Sequence, residues 1–299
     1  MGKEPPEVTP GVQPGEIIFL NGALVALSEA RVSPIDRGFL YGDGVVETIR
    51  VSQGHPFRFG DHAERLAASA AALKIPLPCP AEEMRRAIQR LVEANRLSAA
   101  SVRITLSRGV GPRGPSLRAH FSPTLVITAS PFQGYPPEWY EQGIRTLLSR
   151  VRLDAGSPLP RHKTANYLLY ILARAEAEEA GAAEALLLNT RGEVAEAAAS
   201  NVFMVRDGKV STPALQANIL PGVTRKVVLE ICRERGVPVE ERLFDAAELL
   251  AADEVFLTNS LMEIMPVVKV GEGRIGKGAP GPVTQTLAAA YRRRVMRET

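Results

Sequence analysis

Pro160-Arg161-His162-Lys163-Thr164-Ala165-Asn166-Tyr167-Leu168 is the stretch that decides how the rest of the chain is read. The run from Tyr167 through Ile171 and Leu172 to Ala180 places apolar residues at helical spacing. Lys163 therefore stands at an element boundary, from which a side chain can be aimed into a cleft. A lysine amine sheltered from water loses its charge to desolvation and becomes a nucleophile able to form a Schiff base. Taken alone, the same lysine is an ordinary solvated charge near a helix N-terminus, where the dipole mildly disfavours it. The surrounding chain has to decide between the two.

Composition narrows the classes. The 299 residues suffice for one large domain or two ordinary ones, and 45% apolar with 23% charged residues is the balance of a soluble globular protein. A net charge of +3 is too mild to argue for nucleic-acid binding. The cluster Arg292-Arg293-Arg294 with Arg297 reads as favourable charge at the end of a C-terminal helix. Cys79 and Cys232 are far apart, and neither they nor His55, His62, His120 and His162 show metal-ligand spacing. No metal site is expected. The chain carries no long apolar run and no signal-like N-terminus, so a cytoplasmic protein without membrane contact is expected.

Along the chain, residues 1–15 are rich in Pro and Gly and read as a flexible tail. Ile17 to Leu20, Asn21-Gly22 and Ala23 to Val25 form a hairpin signal. Asp36 to Gly44 reads as a glycine-rich loop leading into a strand from Val45 to Val51. Helices are expected over 61–73 and 81–94, and strands over 101–107 and 124–128. Ser130 to Pro137 is the best linker candidate. These signals divide the chain into a small α+β domain over 16–130, a linker over 131–137 and a larger domain over 138–299. Strands and helices then alternate irregularly, ending in a helix over 282–296. The fold class is α+β with antiparallel or mixed sheets.

Gly109-Val110-Gly111-Pro112-Arg113-Gly114 matches a dinucleotide fingerprint by letter, but no helical pattern follows it and the nucleotide reading is rejected. Pro221-Gly222-Val223-Thr224-Arg225 opens a helix, whose first free N–H groups can hold a phosphate. Thr224 fits a simple capping role equally well. Glu196, among the alanines of Gly192 to Asn201, is either exposed or committed to a partner such as a protonated ring nitrogen. Thr258-Asn259-Ser260 puts small polar residues at a strand end, where they form an anion cradle or a plain turn.

Together these stretches resemble the fold-type IV pyridoxal-phosphate enzymes, the class-IV aminotransferase superfamily, from about Ile17 to the C-terminus. The resemblance implies a small α/β domain and a larger one with a mixed, barrel-like sheet and flanking helices. It implies pyridoxal 5′-phosphate as cofactor, an amino-acid-like substrate and a homodimer with its active site near the interface. By motif, Lys163 corresponds to the Schiff-base lysine, and Glu196, in Glu-x-x-x-Ser-Asn, to the carboxylate on the pyridine nitrogen. Arg58, before the His62-x-x-Arg65-Leu66 helix, corresponds to the phosphate-binding arginine. Val223, Thr224 and Ser260 complete the phosphate ligands, and Tyr167 approaches the ring hydroxyl. Tyr41, Val46, Arg113, Asn259 and Leu261 fall at substrate-pocket positions.

Three branches share the superfamily's first steps. The Arg-x-His trap of D-amino acid aminotransferases is absent at Arg113-Gly114-Pro115. The Gly-Thr-Ala run of branched-chain aminotransferases is replaced by Asn259-Ser260-Leu261. The pocket motifs resemble most the 4-amino-4-deoxychorismate lyase branch, which releases 4-aminobenzoate and pyruvate. A branched-chain or D-amino acid transaminase is the alternative, and a non-catalytic cofactor-binding homologue the reading from another class.

Overall fold

Asn21 and Gly22 both adopt positive φ, 47° and 100°, as a two-residue hairpin loop requires. They join β1 (Ile17–Leu20) to β2 (Ala23–Ala26), with Leu20 opposite Ala23. The structure is a computed structural model and describes residues 16–299, so the tail expected at 1–15 lies outside the described residues.

The stretch read as a glycine-rich loop folds instead into a short helix, α1 (Arg37–Tyr41). The Asp36 carboxylate caps it by accepting from the Gly38 N–H, and Gly42 ends it in the left-handed conformation. β3 (Gly44–Ser52), β4 (His55–Pro56), α2 (Phe59–Ala72), α3 (Ala81–Ala94), β5 (Ala100–Val110) and β6 (Ser122–Pro131) follow. The six strands form one antiparallel sheet in the order β2-β1-β6-β5-β3-β4. Leu66 of α2 and Ile88 and Leu91 of α3 pack on Ile49, Ile104 and Ile127 of the sheet, closing a core of its own.

After α4 (Pro137–Gln142) the chain changes sheets. β7 (Ile144–Leu153) leads to α5 (Leu168–Glu179), then β8 (Glu184–Asn189), β9 (Val194–Ala197), β10 (Asn201–Arg206) and β11 (Lys209–Pro213). α6 (Val223–Glu234), β12 (Val239–Arg242), α7 (Ala246–Leu250), β13 (Glu254–Asn259), β14 (Glu263–Val270), β15 (Gly273–Arg274) and α8 (Pro282–Glu298) complete it. This sheet runs β12-β11-β10-β13-β14-β7-β8-β9, with β15 paired to β14. It is mixed: β7 pairs in parallel with β8 and β14, and β11 with β12. The α+β architecture and the mixed second sheet match the expectation. No helix among the described residues is long and apolar enough to cross a membrane.

Arg297 stands in the last turn of α8 as expected, but two others of the C-terminal cluster are not free helix-end charges. Arg294 is buried and pairs with Glu230 (3.4 Å) and Glu234 of α6, and Arg292 pairs with Glu263 (3.2 Å). These pairs hold α8 against α6 and the start of β14.

The two sheets meet at the Lys163 segment. Ahead of α5 this segment is extended and pairs with β3: the Val46 N–H donates to the Lys163 carbonyl (2.8 Å), and the Ala165 N–H to that of Gly44 (2.8 Å). The Lys163 N–H donates to Ser69 Oγ of α2 (3.3 Å). The lysine backbone is thus gripped by the first sheet while its side chain serves a cavity walled largely by the second.

Candidate active site

That cavity has a volume of about 430 Å³, within the range of small-ligand sites. It brings together Lys163, Tyr167, Glu196, Val223, Thr224 and Ser260, which sequence spacing alone leaves scattered over 98 positions (163 to 260, inclusive). The Lys163 amine donates to the Tyr167 phenol oxygen (3.1 Å).

Glu196 lies on β9, whose residues are all buried, and is itself 4% exposed. Burial pushes its pKa up to about 7. The Leu220 N–H (3.0 Å to Oε2), the Tyr170 phenol (3.0 Å to Oε1) and the charges of Lys163 and Arg65 hold it from rising further. No side chain of this protein forms an ion pair with it among the described residues. The surface reading of this glutamate is excluded, and a buried carboxylate without a counterion is suited to a cationic ligand group.

α6 begins at the cavity wall. Its N-cap is Gly222, with no side-chain cap, so the first N–H groups, those of Val223 and Thr224, have no partner within the helix. A capping role for Thr224 is therefore not what the structure shows. Gly222 makes room for a neighbour: a Cβ would meet Asn201 Oδ1 at 1.9 Å and displace that side chain. That Asn201 side chain crosses over to donate to the Leu220 carbonyl (2.9 Å), fixing the approach to the helix.

Arg58 does not line the cavity. It is the left-handed N-cap of α2 (φ 53°), and its guanidinium is taken by Glu230 of α6 (2.7 Å) and Glu298 of α8 (2.8 Å). The arginine that α2 does bring to the cavity is Arg65, two helical turns further along. Its fork grips both oxygens of Glu47 (2.8 and 2.7 Å), and its Nη1 donates to the Pro221 carbonyl, one residue before the N-cap of α6 (3.1 Å). His62 donates to the same Glu47 carboxylate (2.7 Å). Burial works against the Glu47 charge, but the Arg65 fork and His62 outweigh it and hold the pKa at about 2. The His62 imidazole is pushed below its usual range by burial, against the pull of Glu47. Sequence reading missed this group, although His62-x-x-Arg65 is an i,i+3 pair that shares one helix face.

The substrate positions divide. Asn259 and Leu261 line the cavity, but the Asn259 amide is committed: Oδ1 accepts from the N–H groups of Leu261 (3.0 Å) and Met262 (2.7 Å), and Nδ2 donates to Ser200 Oγ (3.2 Å). Asn259 shapes the turn that presents Ser260. Val46 is fully buried outside the lining, where its backbone holds the lysine segment. Arg113 is exposed and outside it too, and Tyr41 borders a second cavity that shares Leu159, Thr164 and Asn166 with the first. In their place the sheet supplies Thr48 and Arg103, cross-strand neighbours on β3 and β5. Arg103 has no acidic partner among the described residues; its guanidinium lies 5.9 Å from the Tyr167 ring centre.

The donor set suits a phosphorylated pyridine. An open helix N-terminus and Arg65 suit its phosphate, and the lysine amine its aldehyde. The carboxylate without a counterion suits its ring nitrogen, and the Thr258 hydroxyl in the wall is buried with no partner.

Comparison with known proteins agrees. The sequence model of the class IV amino-transferases matches residues 44–270. A Methanocaldococcus jannaschii protein provisionally named branched-chain-amino-acid aminotransferase is 37% identical over 92% of this chain and 95% of its own. The D-alanine aminotransferase of Bacillus licheniformis is 33% identical over 94% of this chain and 98% of its own. The branched-chain amino acid aminotransferase of Thermobaculum terrenum, crystallised in its pyridoxal-phosphate form, superposes with a TM-score of 0.87 at 31% identity, covering 96% of each chain. The chain belongs to the class IV amino-transferase family. Within that family these relatives carry aminotransferase names, not the lyase name toward which the pocket motifs point.

Proposed function

We propose that this chain moves an amino group between an amino acid with an apolar side chain and a 2-oxo acid, with pyridoxal 5′-phosphate as its cofactor. The observation that carries this reading is the Lys163 amine and the buried Glu196 carboxylate facing one cavity. When bound, pyridoxal phosphate supplies an electron sink for the substrate α-carbon. Lys163 Nζ takes the α-proton and returns it, and the Tyr167 phenol oxygen holds that amine in place. Glu196 keeps the ring nitrogen protonated. The Val223 and Thr224 N–H groups, Ser260 and Arg65 bind the phosphate. Leu153, Leu159 and Leu169 offer an apolar wall to the side chain, and Arg103 offers a cation to a substrate carboxylate.

The transaminase reading is preferred to the lyase because the relatives bear transaminase names and because an unpaired Arg103 suits a dicarboxylate amino acceptor. The purified protein, loaded with pyridoxal phosphate, is to be given L-branched-chain amino acids or D-alanine with 2-oxoglutarate. Glutamate should form, and Lys163→Ala should abolish it. Release of 4-aminobenzoate from aminodeoxychorismate without any glutamate would establish the lyase instead.

A second copy of this chain is the proposed partner. Phe39 of α1 and Leu168, Ile171 and Leu172 of α5 are all more than half exposed, an apolar surface that association would cover. Light scattering should give twice the chain mass of 32.3 kDa; the chain mass itself would refute the pairing.

A further inference from the structure

Two phenols in the first turn of α5 address the two reactive groups of the cavity. Tyr167 and Tyr170 are three residues apart, on neighbouring positions of one helix face, with ring centres 6.1 Å apart. The Tyr167 oxygen receives the Lys163 amine at 3.1 Å, and the Tyr170 hydroxyl donates to Glu196 Oε1 at 3.0 Å. Among the described residues, the only other hydrogen bond to the Glu196 carboxylate is the Leu220 N–H on Oε2. An ionised carboxylate accepts from about four directions, so two are filled by the protein and others stay open for a ligand. The two bonds come from separate elements, α5 and the approach to α6, and each takes a different oxygen. They therefore fix the carboxylate plane.

We propose that Tyr170 is a positioning residue for Glu196: its phenol orients the carboxylate toward the cofactor's ring nitrogen and favours the ionised form. The inference rests on the cofactor reading above and deepens it. The charged or titratable groups acting on Glu196 are Lys163, Arg65 and Tyr170, with Tyr167 next to Tyr170. Among these, only Tyr170 bonds the carboxylate directly. Burial and the Glu196 charge push the Tyr170 phenol well above its usual range, so it stays a donor at any working pH.

The test is Tyr170→Phe, which keeps the ring and removes the donor. Equilibrium binding is to be measured with pyridoxal 5′-phosphate and with its 1-deaza analogue, which has carbon in place of the ring nitrogen. Tyr170→Phe should weaken pyridoxal phosphate by about tenfold and leave the analogue unchanged, because a hydrogen bond to a charged acceptor is lost only where that charge is used. Equal weakening of both would mean that Tyr170 merely packs, and would overturn the proposal. In the apoprotein, infrared titration of ¹³C-labelled glutamate, with Glu196→Gln to assign the band, should show the Glu196 midpoint rising by about one unit in Tyr170→Phe. An unmoved midpoint would also overturn the proposal. If the wild-type protein binds neither compound, the cofactor reading fails and the role of Tyr170 fails with it. If the wild type binds and Tyr170→Phe changes nothing, only the Tyr170 assignment fails.

Discussion

Glu47 and Glu196 are both sealed from water close to the same cavity, yet the protein has moved them in opposite directions. Glu47 is 0% exposed and Glu196 4%, so desolvation works against both charges. Glu47 nevertheless sits at about 2, because Arg65 grips both its oxygens and His62 adds a third bond. Glu196 sits at about 7, with a backbone N–H and a phenol but no cation in contact. The first carboxylate is completed by its own chain, and its task is to hold an arginine. The second is left incomplete, and that incompleteness marks where a cationic ligand group belongs.

The sharpest way to break this contrast is to neutralise Glu196. Glu196→Gln keeps the shape and removes the charge that would face the ring nitrogen. We expect kcat to fall by about 10²–10³-fold, the scale of losing one preorganised electrostatic partner. Steady-state kinetics with saturating cofactor checks this. Turnover within threefold of wild type would mean that Glu196 is a structural acid like Glu47.

Stability should respond in the opposite sense, by a smaller amount. The folded-state pKa of Glu196 is raised above its unfolded value of about 4.5, so the folded apoprotein binds more protons than the unfolded chain between about pH 4.5 and 7. Apoprotein stability from this group is therefore full below pH 4.5 and is lost as pH rises through about 7. Between pH 5 and 8 the wild-type apoprotein should lose about 2 kcal/mol that Glu196→Gln retains. Glu47 has the reverse sign: its lowered pKa gives stability above about pH 4.5 that is lost as pH falls toward 2. Urea unfolding of both proteins across this range checks the signs. A Glu196→Gln apoprotein that loses as much stability as wild type between pH 5 and 8 would dissolve the distinction.

The same contrast explains what could be read from the chain unaided. Glu196 is legible only through its motif: a carboxylate among alanines fits a surface position as well as a site, and the Glu-x-x-x-Ser-Asn resemblance decides between them. Glu47 is not, because Val45-Val46-Glu47-Thr48-Ile49 reads as an apolar strand with one polar interruption, and only packing shows that the interruption is buried. α3 is defined by Pro80 and a clear 3.6-residue apolar period. α1 hides among glycines, and its five residues are too few for any period to show. β11 and β12 escape notice because both are short and partly polar, and they become strands only by pairing with each other and with β10. Lys163 is found by its surroundings, but its grip by β3 and Ser69 spans long stretches of sequence and is visible only in the fold.

The choice between Arg58 and Arg65 is where sequence spacing fails and where the last experiment applies. Seven residues apart on α2, both can lie on one helix face, and both meet carboxylates. Arg58 meets glutamates of α6 and α8, across the junction between the two sheets, and they occupy its guanidinium. Arg65 meets a glutamate of β3, on its own side, and so presents the remaining edge of its guanidinium to the start of α6. On the proposed reading, the origin of the carboxylate decides which arginine is left for the cofactor phosphate. Arg65→Lys keeps a charge for Glu47 but loses the planar fork, and should weaken pyridoxal 5′-phosphate by about tenfold while leaving unphosphorylated pyridoxal nearly unchanged. Arg58→Lys should leave both affinities within about threefold and lower the unfolding midpoint slightly, because a partly exposed ion pair contributes only about 1 kcal/mol or less. Equilibrium titration of both aldehydes into the two apoproteins checks this. The reverse result, with Arg58→Lys losing phosphate selectivity, would return the phosphate to the arginine that α6 and α8 hold.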